Sequence, residues 1–413
     1  MPAIKNNPKL WLWLLTTALL LTTSTHLLAH AQPTTLGLSA DLSLAASWRS
    51  DNQQSNQAIA DEEVWQIPGV LMGGHASNYE KHTSLDELSL AMHYLTDKNS
   101  YASLKIGSHG GTEISLENAL FGQAFNVSNQ PARIEAGLMT AFFSPSNHEH
   151  PSTTLFSLPS LGYTALLGGH VQDTGIRAAF GQEARGFSLG IEANKGSSYP
   201  ASNSGGLYTA YLRHAYQGFY LDWQLQGWYL DAEAKNRKDD RSAGGHSHSV
   251  STNATGFTGS YKGDTQAAGL FSELQWNLGH RKALKLRSEY LQVNAEGLVE
   301  DESGNRQLNL DGEYQSLSLE PSLLLGLHTF GLRYERLSLK NTLTGAAASQ
   351  LGAEANLIND GHEPQRFSAA WKWQYTPNLA LRLEWVNDQT LSDHQPKIVT
   401  LGATWKQAIT LNN

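Results

Sequence analysis

Residues 36–49 read LGLSADLSLAASWR. Leu36, Leu38, Ala40, Leu42, Leu44, Ala46 and Trp48 alternate with Gly37, Ser39, Asp41, Ser43, Ala45, Ser47 and Arg49. A helix would scatter the seven apolar side chains around its axis; a strand sets all of them on one face.

The same period of two recurs to the C-terminus. Leu88, Leu90, Met92 and Tyr94 show it, as do Phe367, Ala369, Trp371, Trp373 and Tyr375, and then Val399, Leu401, Ala403 and Trp405. Such segments begin near residues 36, 84, 100, 112, 132, 174, 186, 206, 219, 265, 283, 312, 329, 366, 379 and 397, which predicts about sixteen strands. Short connections (96–99, 128–131, 376–378) alternate with long ones (49–83, 144–173, 233–263, 338–365) rich in Gly, Ser, Asn and His. Short turns at one end and long loops at the other are the asymmetry of a transmembrane antiparallel β-barrel, whose long loops are expected to face outward.

A soluble sandwich or propeller also alternates, with its apolar face lining a core. Two features favour the barrel. Trp48, Tyr94, Trp276, Tyr375, Trp385 and Trp405 sit at the ends of apolar stripes, where interfacial girdles lie. The opposite face carries charges of both signs two residues apart, as in Arg287 with Glu289, Arg333 with Glu335 and Arg382 with Glu384, and a wet lumen accommodates them.

The N-terminus reads as a cleaved signal peptide over residues 1–31. Lys5 and Lys9 precede an apolar run from Leu10 to Thr23, and Ala29-His30-Ala31 is a small-residue cleavage site, so the mature chain is expected to begin at Gln32. Loss of Lys5 and Lys9 takes the formal charge from −9 to −11, which argues against a nucleic-acid partner. The absence of cysteine excludes disulfides, thiolate metal sites and a lipid anchor on cysteine. A mean hydropathy of −0.38 is no objection to a membrane barrel, because only alternate residues meet lipid. The expected surroundings are outer-membrane lipid and the barrel-assembly machinery. That machinery commonly reads a terminal aromatic residue, whereas this chain ends Leu411-Asn412-Asn413.

Residues 66–180 carry a resemblance. Gln66-Ile67-Pro68-Gly69-Val70, Gly73-Gly74, Asp86-Glu87-Leu88-Ser89-Leu90, Leu116-Glu117-Asn118-Ala119, Asn147-His148-Glu149-His150 and Tyr163-Thr164-Ala165-Leu166-Leu167-Gly168-Gly169 follow one another in order. This run resembles Gram-negative outer-membrane proteins related to the phosphate-selective porins, in particular the group labelled zinc-regulated and TonB-dependent. The resemblance implies that the loop 144–173 folds into the barrel and narrows it. The TonB label fits poorly: such transporters have about 22 strands around a plug, and the first strand here is expected about five residues after the cleavage site.

Candidate site residues follow from which face each occupies. Arg133, Glu135, Arg177, Arg213, Lys285, Arg287, Glu289, Arg333, Glu335, Arg382 and Glu384 are expected to point into the lumen, with Glu87 and Lys372, and to set ion preference or hold strand register. At spacing two in an extended segment, His148 and His150 would share a face; with His170 nearby, they are candidate Zn²⁺ ligands. His246 and His248 in the loop 233–263 form a second candidate cluster. Gly186-Phe187-Ser188-Leu189-Gly190 matches a nucleophile-elbow pattern, but period two continues through it, so Ser188 reads as a strand residue and no enzyme is expected. The expected function is a porin-like channel for small hydrophilic solutes or ions, with a possible homotrimer and a link to zinc or metal uptake. The alternative is a surface metal- or partner-binding protein using the His-bearing loops.

Overall fold

In the computed structural model, which describes residues 35–52, 65–76, 82–109, 114–239 and 257–411, the strands close into one antiparallel barrel of sixteen. They are β1 (Gly37–Asp51), β2 (His82–Leu95), β3 (Ser100–His109), β4 (Ser115–Val127), β5 (Gln130–Thr140), β6 (Gln172–Gly181), β7 (Gly186–Asn194) and β8 (Leu207–Gln217). There follow β9 (Leu221–Lys238), β10 (Ser260–Gly279), β11 (Lys282–Glu300), β12 (Gln307–Leu325), β13 (His328–Thr344), β14 (Gln365–Gln374), β15 (Leu379–Gln389) and β16 (Lys397–Leu411). Each pairs with its sequence neighbours, and β1 pairs with β16 from Leu38↔Leu411 to Asp51↔Ile398, so no edge is left unbonded. Closure satisfies every ladder within the sheet, the condition for crossing lipid with strands. Among the described residues no helix is long and apolar enough to cross a membrane.

Burial runs inside out. Ile176 is 59% exposed beside Arg177 at 2%, and Leu401 is 52% exposed beside Thr400 at 1%. An apolar belt turned outward around buried charge is stable only where lipid is the outer solvent. Tyr94, Trp276 and Tyr375 are exposed near the short turns, and Trp48 and Trp385 toward the long loops. Ile176→Arg is therefore expected to destabilise the barrel by about 2–4 kcal/mol in urea unfolding from liposomes, if that position lies near the bilayer midplane. A loss below about 1 kcal/mol would remove Ile176 from the lipid belt.

The belt does not extend along the whole of the long strands. In β12, Leu317 and Leu319 face outward and Ser316 inward; farther up, Asp311 and Glu313 face outward while Leu308, Leu310 and Tyr314 are buried inside. β11 inverts in the same way, from Arg287 and Glu289 inside to Leu291, Val293 and Ala295 inside. Strand β9 does so with buried Ala232 and Ala234 beside exposed Glu233 and Lys235. These upper halves follow the rule of a water-soluble sheet, with polar side chains out and apolar side chains in. The inversion is also why β9, β10 and β13 run into the stretches 233–263 and 338–365 that composition marks as loop.

What the apolar inner wall packs against is loop. Ile67, Val70 and Met72 of the first long connection join Leu161, Leu166 and Leu167, and meet Leu207, Trp228, Leu230, Leu291, Val293, Tyr314 and Leu337 of the wall. A helix over Ala348–Glu354 brings Leu351 against Leu308 and Leu310 in a second cluster. The expectation that the long loops face outward thus fails for residues 65–76 and for part of 345–364. Their apolar side chains have an apolar wall to cover, and burial there removes both surfaces from water.

Candidate functional site

The segment between β5 and β6 leaves the long-loop end of the barrel and turns inward. Pro145 opens a 3-10 turn over Pro145–His148, and the Ser144 hydroxyl accepts a hydrogen bond from the Ser146 N–H. Pro145, Pro151 and Pro159 have no amide hydrogen to give to a ladder, so the chain does not simply continue the hairpin. A helix, α1 (Leu161–Leu167), follows and ends at Gly168 in the left-handed conformation, φ 70°. Asn147 clamps the two stems. Its Nδ2 donates to Ala141 O (2.8 Å) and Val171 O (3.0 Å), and its Oδ1 accepts from the Val171 N–H (2.8 Å).

The inward charges hold this loop. On β2, Glu87 Oε2 accepts from the Ser152 N–H (2.9 Å); on β15, Glu384 Oε2 accepts from the Ser157 N–H (2.8 Å), and Arg382 donates to Pro151 O (3.3 Å). On β13, Glu335 Oε1 accepts from the Leu161 N–H (2.7 Å) and Arg333 donates to Leu158 O (3.0 Å). Lys372 and Arg366 of β14 donate to the carbonyls of Thr154 (3.2 Å) and Pro159 (2.5 Å). On β11, Glu289 accepts from the hydroxyls of Ser144 (2.8 Å), Tyr163 (2.7 Å) and Ser146, while Arg287 pairs with Glu149. Burial and the Glu289 charge push the Tyr163 hydroxyl well above its ordinary value, so it is fixed as a donor. The Glu192 carboxylate of β7 takes the Phe142 N–H (2.7 Å), and Gln226 of β9 donates to Phe143 O. The loop is therefore seated on walls distributed around the barrel. Gly162 permits the closest approach, because a Cβ there would lie 2.2 Å from Ser316 Oγ.

Nearby, Arg177 donates to Glu192 Oε1 (2.6 Å), Glu135 Oε2 (3.0 Å) and Thr140 O (2.7 Å). Arg133 pairs with Glu183 (2.5 Å), and the guanidinium groups of Arg133, Arg177 and Arg213 each lie 5.4 Å from the Phe142 ring centre. Lys285 pairs with Glu273 (2.9 Å) lower on the wall. Of the expected lumen residues, Glu87, Arg287, Glu289, Arg333, Glu335, Lys372, Arg382 and Glu384 touch the loop directly. Arg177 touches its stem, while Glu135 and Arg213 support that region from the wall. Sequence reasoning missed the clamp Asn147, the acceptor Glu192 and the donor Gln226; inward position was legible for the latter two, but not what they would meet.

The imidazoles are sorted differently from their spacing. His148 packs against Phe142, with ring centres 5.0 Å apart, while the His150 ring stacks on His109 of β3 at 5.3 Å. The 3-10 turn ends at His148, so no extended segment puts the two on a common face. His170 lies 5.2 Å from His150 and donates from Nδ1 to Asn147 O (2.8 Å). Burial, and then the charge of His109, lowers its pKa to about 4, leaving it neutral at ordinary pH. Among the described residues, one group of three His or acidic side chains has ligand atoms within 4.8 Å of one another: His109, Glu117 and His150. His246 and His248 lie outside the described residues. Ser188 sits in mid-β7 paired with Arg213, not on a strand-to-helix turn.

No family model and no curated protein matches the sequence. Solved structures do match. Pseudomonas putida OprB aligns over 90% of this chain and 94% of its own at 12% identity, with a TM-score of 0.53. OmpT of Vibrio cholerae in its trimer form aligns over 90% and 99% at 12% identity, with a TM-score of 0.50. An anion-selective porin from Comamonas acidovorans aligns over 90% and 99% at 12% identity, with a TM-score of 0.49. With sixteen strands closed among the described residues, an apolar belt turned outward and an inward-folded loop, the chain has the fold of the outer-membrane porins.

Proposed function

We propose that this barrel is a constricted channel for small hydrophilic solutes or ions. One observation supports the reading above the others: the loop 141–171 lies inside the barrel, bonded to wall residues on β2, β7, β9, β11, β13, β14 and β15. A passage beside it would be bordered by the carboxylates and guanidinium groups of the wall, whose fields discriminate among solutes by charge as well as size. Arg133, Glu135, Lys285, Arg382 and Glu384 are the selectivity candidates, and the proposal includes no enzymatic step. Kinship with the phosphate-selective or zinc-regulated group stays within the proposal, on the motifs of residues 66–180. So does assembly as a homotrimer, which the trimer form of the V. cholerae protein supports.

In planar bilayers the purified protein is expected to give stepwise conductance, with a reversal potential under a salt gradient that shifts when Arg382 or Lys285 is neutralised. A bilayer that stays silent after confirmed insertion would refute the channel. The competing reading, capture of a metal or partner by the His-bearing loops, predicts that deleting residues 236–252 abolishes ligand capture. The channel reading predicts that conductance survives the same deletion.

A further inference from the structure

We infer that His109, Glu117 and His150 form a binding site for a divalent transition-metal ion such as Zn²⁺, which ties the inserted loop to the barrel wall. His109 closes β3, Glu117 lies on the adjacent β4, and His150 belongs to the loop. His109 Nε2 is 3.0 Å from Glu117 Oε1, and all three ligand atoms fall within 4.8 Å. Two imidazoles and a carboxylate are a borderline-soft set suited to zinc and its neighbours, with a fourth position left for water. Ligands on one tetrahedral zinc stand about 3.4 Å apart, so the set has to contract by about an ångström or somewhat more. His150 sits on a turn rather than in a ladder, and its movement can supply that contraction. Glu117 and His150 are buried, whereas His109 is exposed at the long-loop end and gives the ion a way in. His170 packs against both imidazoles with its Nδ1 fixed on Asn147, and so limits where the His150 ring can turn.

A second observation points to a cation at this place. Lys105 sends its ammonium between two of the three groups, 2.7 Å from Glu117 Oε2 and 3.0 Å from His150 Nε2. As an ammonium has only hydrogens to give, His150 Nε2 accepts, and the lone pair that a metal needs is already directed at a positive charge. The pocket is thus built around a cation, and Lys105 is the tethered competitor. Binding displaces its ammonium toward solvent and joins β3, β4 and the loop through one centre. The site itself does not depend on the channel reading; only the consequence for current does.

Tag-free full-length protein in detergent, titrated with Zn²⁺ by calorimetry and with Co²⁺ by visible absorption, tests this. The expected result is a site of one ion per chain with the intense visible bands of low-coordinate cobalt. His150→Ala and His109→Ala should each weaken it roughly 100-fold, at least the loss seen for supporting residues of metal sites. Lys105→Met should tighten it, a result that a merely structural role for the cluster would not give. His246→Ala with His248→Ala should leave it unchanged. The inference is overturned if wild-type protein binds no ion, even where Lys105→Met does, or if the histidine variants at 109 and 150 bind as wild type does. Single-channel recording with Zn²⁺ on the long-loop side then reads the tie: fewer loop-opening events in wild type and no change in His150→Ala. A channel that never conducts leaves the binding result intact and counts against the proposed function alone.

Discussion

Glu335→Ala is expected to release the inserted loop and raise the conductance of the pore. Glu335 is nearly completely buried and does three things at once. It accepts the Leu161 N–H at the start of α1, and it pairs with Arg333 (3.2 Å) and Arg366 (2.8 Å). Those two arginines in turn hold the carbonyls of Leu158 and Pro159. Removing the carboxylate leaves Arg333 without its paired carboxylate and Arg366 with only the charges of Asp388 and Glu384, and breaking such a buried pair costs about 3–5 kcal/mol. At about 1.4 kcal/mol for each factor of ten, the undocked fraction of the loop rises by roughly 10² to several thousandfold. Single-channel recording should show a larger main conductance with frequent transitions between levels. Glu335→Gln keeps an acceptor for Leu161 and is expected to fall between the two. If the alanine variant folds and inserts but conducts as wild type does, the loop is not what narrows the pore.

The second large effect is expected at Arg177, and it falls on the barrel rather than on the loop alone. Its side chain is 2% exposed and joins carboxylates on β5 and β7 to the last carbonyl of β5. Arg177→Met fits the space but removes the paired arginine of Glu192 and leaves Glu135 with Arg133 (3.4 Å) alone. The stability loss is again about 3–5 kcal/mol, read as a lower urea midpoint of tryptophan fluorescence in liposomes. Glu135 keeps the Tyr101 hydroxyl (2.6 Å) and Glu192 keeps the Phe142 N–H. Neutralising Glu192 as well should therefore recover much of the loss, because the cost lies in the orphaned charge. A variant within about 0.5 kcal/mol of wild type would mean that water reaches Arg177 and its partners freely.

Both predictions concern residues whose inward orientation follows from alternation. Arg177 sits between Ile176 and Ala178, and Glu335 between Tyr334 and Arg336, so the period alone places their side chains on the lumen side. Their partners do not follow from any local pattern. Glu335 meets Leu161, 174 positions away, and Glu384 meets Ser157, 227 positions away. The histidines show the same limit: spacing puts His148 with His150, whereas the fold puts His150 with His109 and Glu117 because β3, β4 and the loop converge.

Strand number, the antiparallel barrel and the lipid-facing belt were determined by the sequence by itself, because a strand's side chains alternate with a strict period of two and each apolar stripe declares which side meets the apolar medium. The medium, however, changes along β9 to β13. Above the belt the same alternation continues with its polarity reversed, and composition cannot separate such a strand from a polar loop. Only the tertiary structure decided where lipid gives way to water. It also decided that residues 65–76 and 161–167 fill the upper lumen, and that the buried charges grip a loop. Those outcomes rest on contacts between segments hundreds of residues apart, which exist only once the barrel has closed.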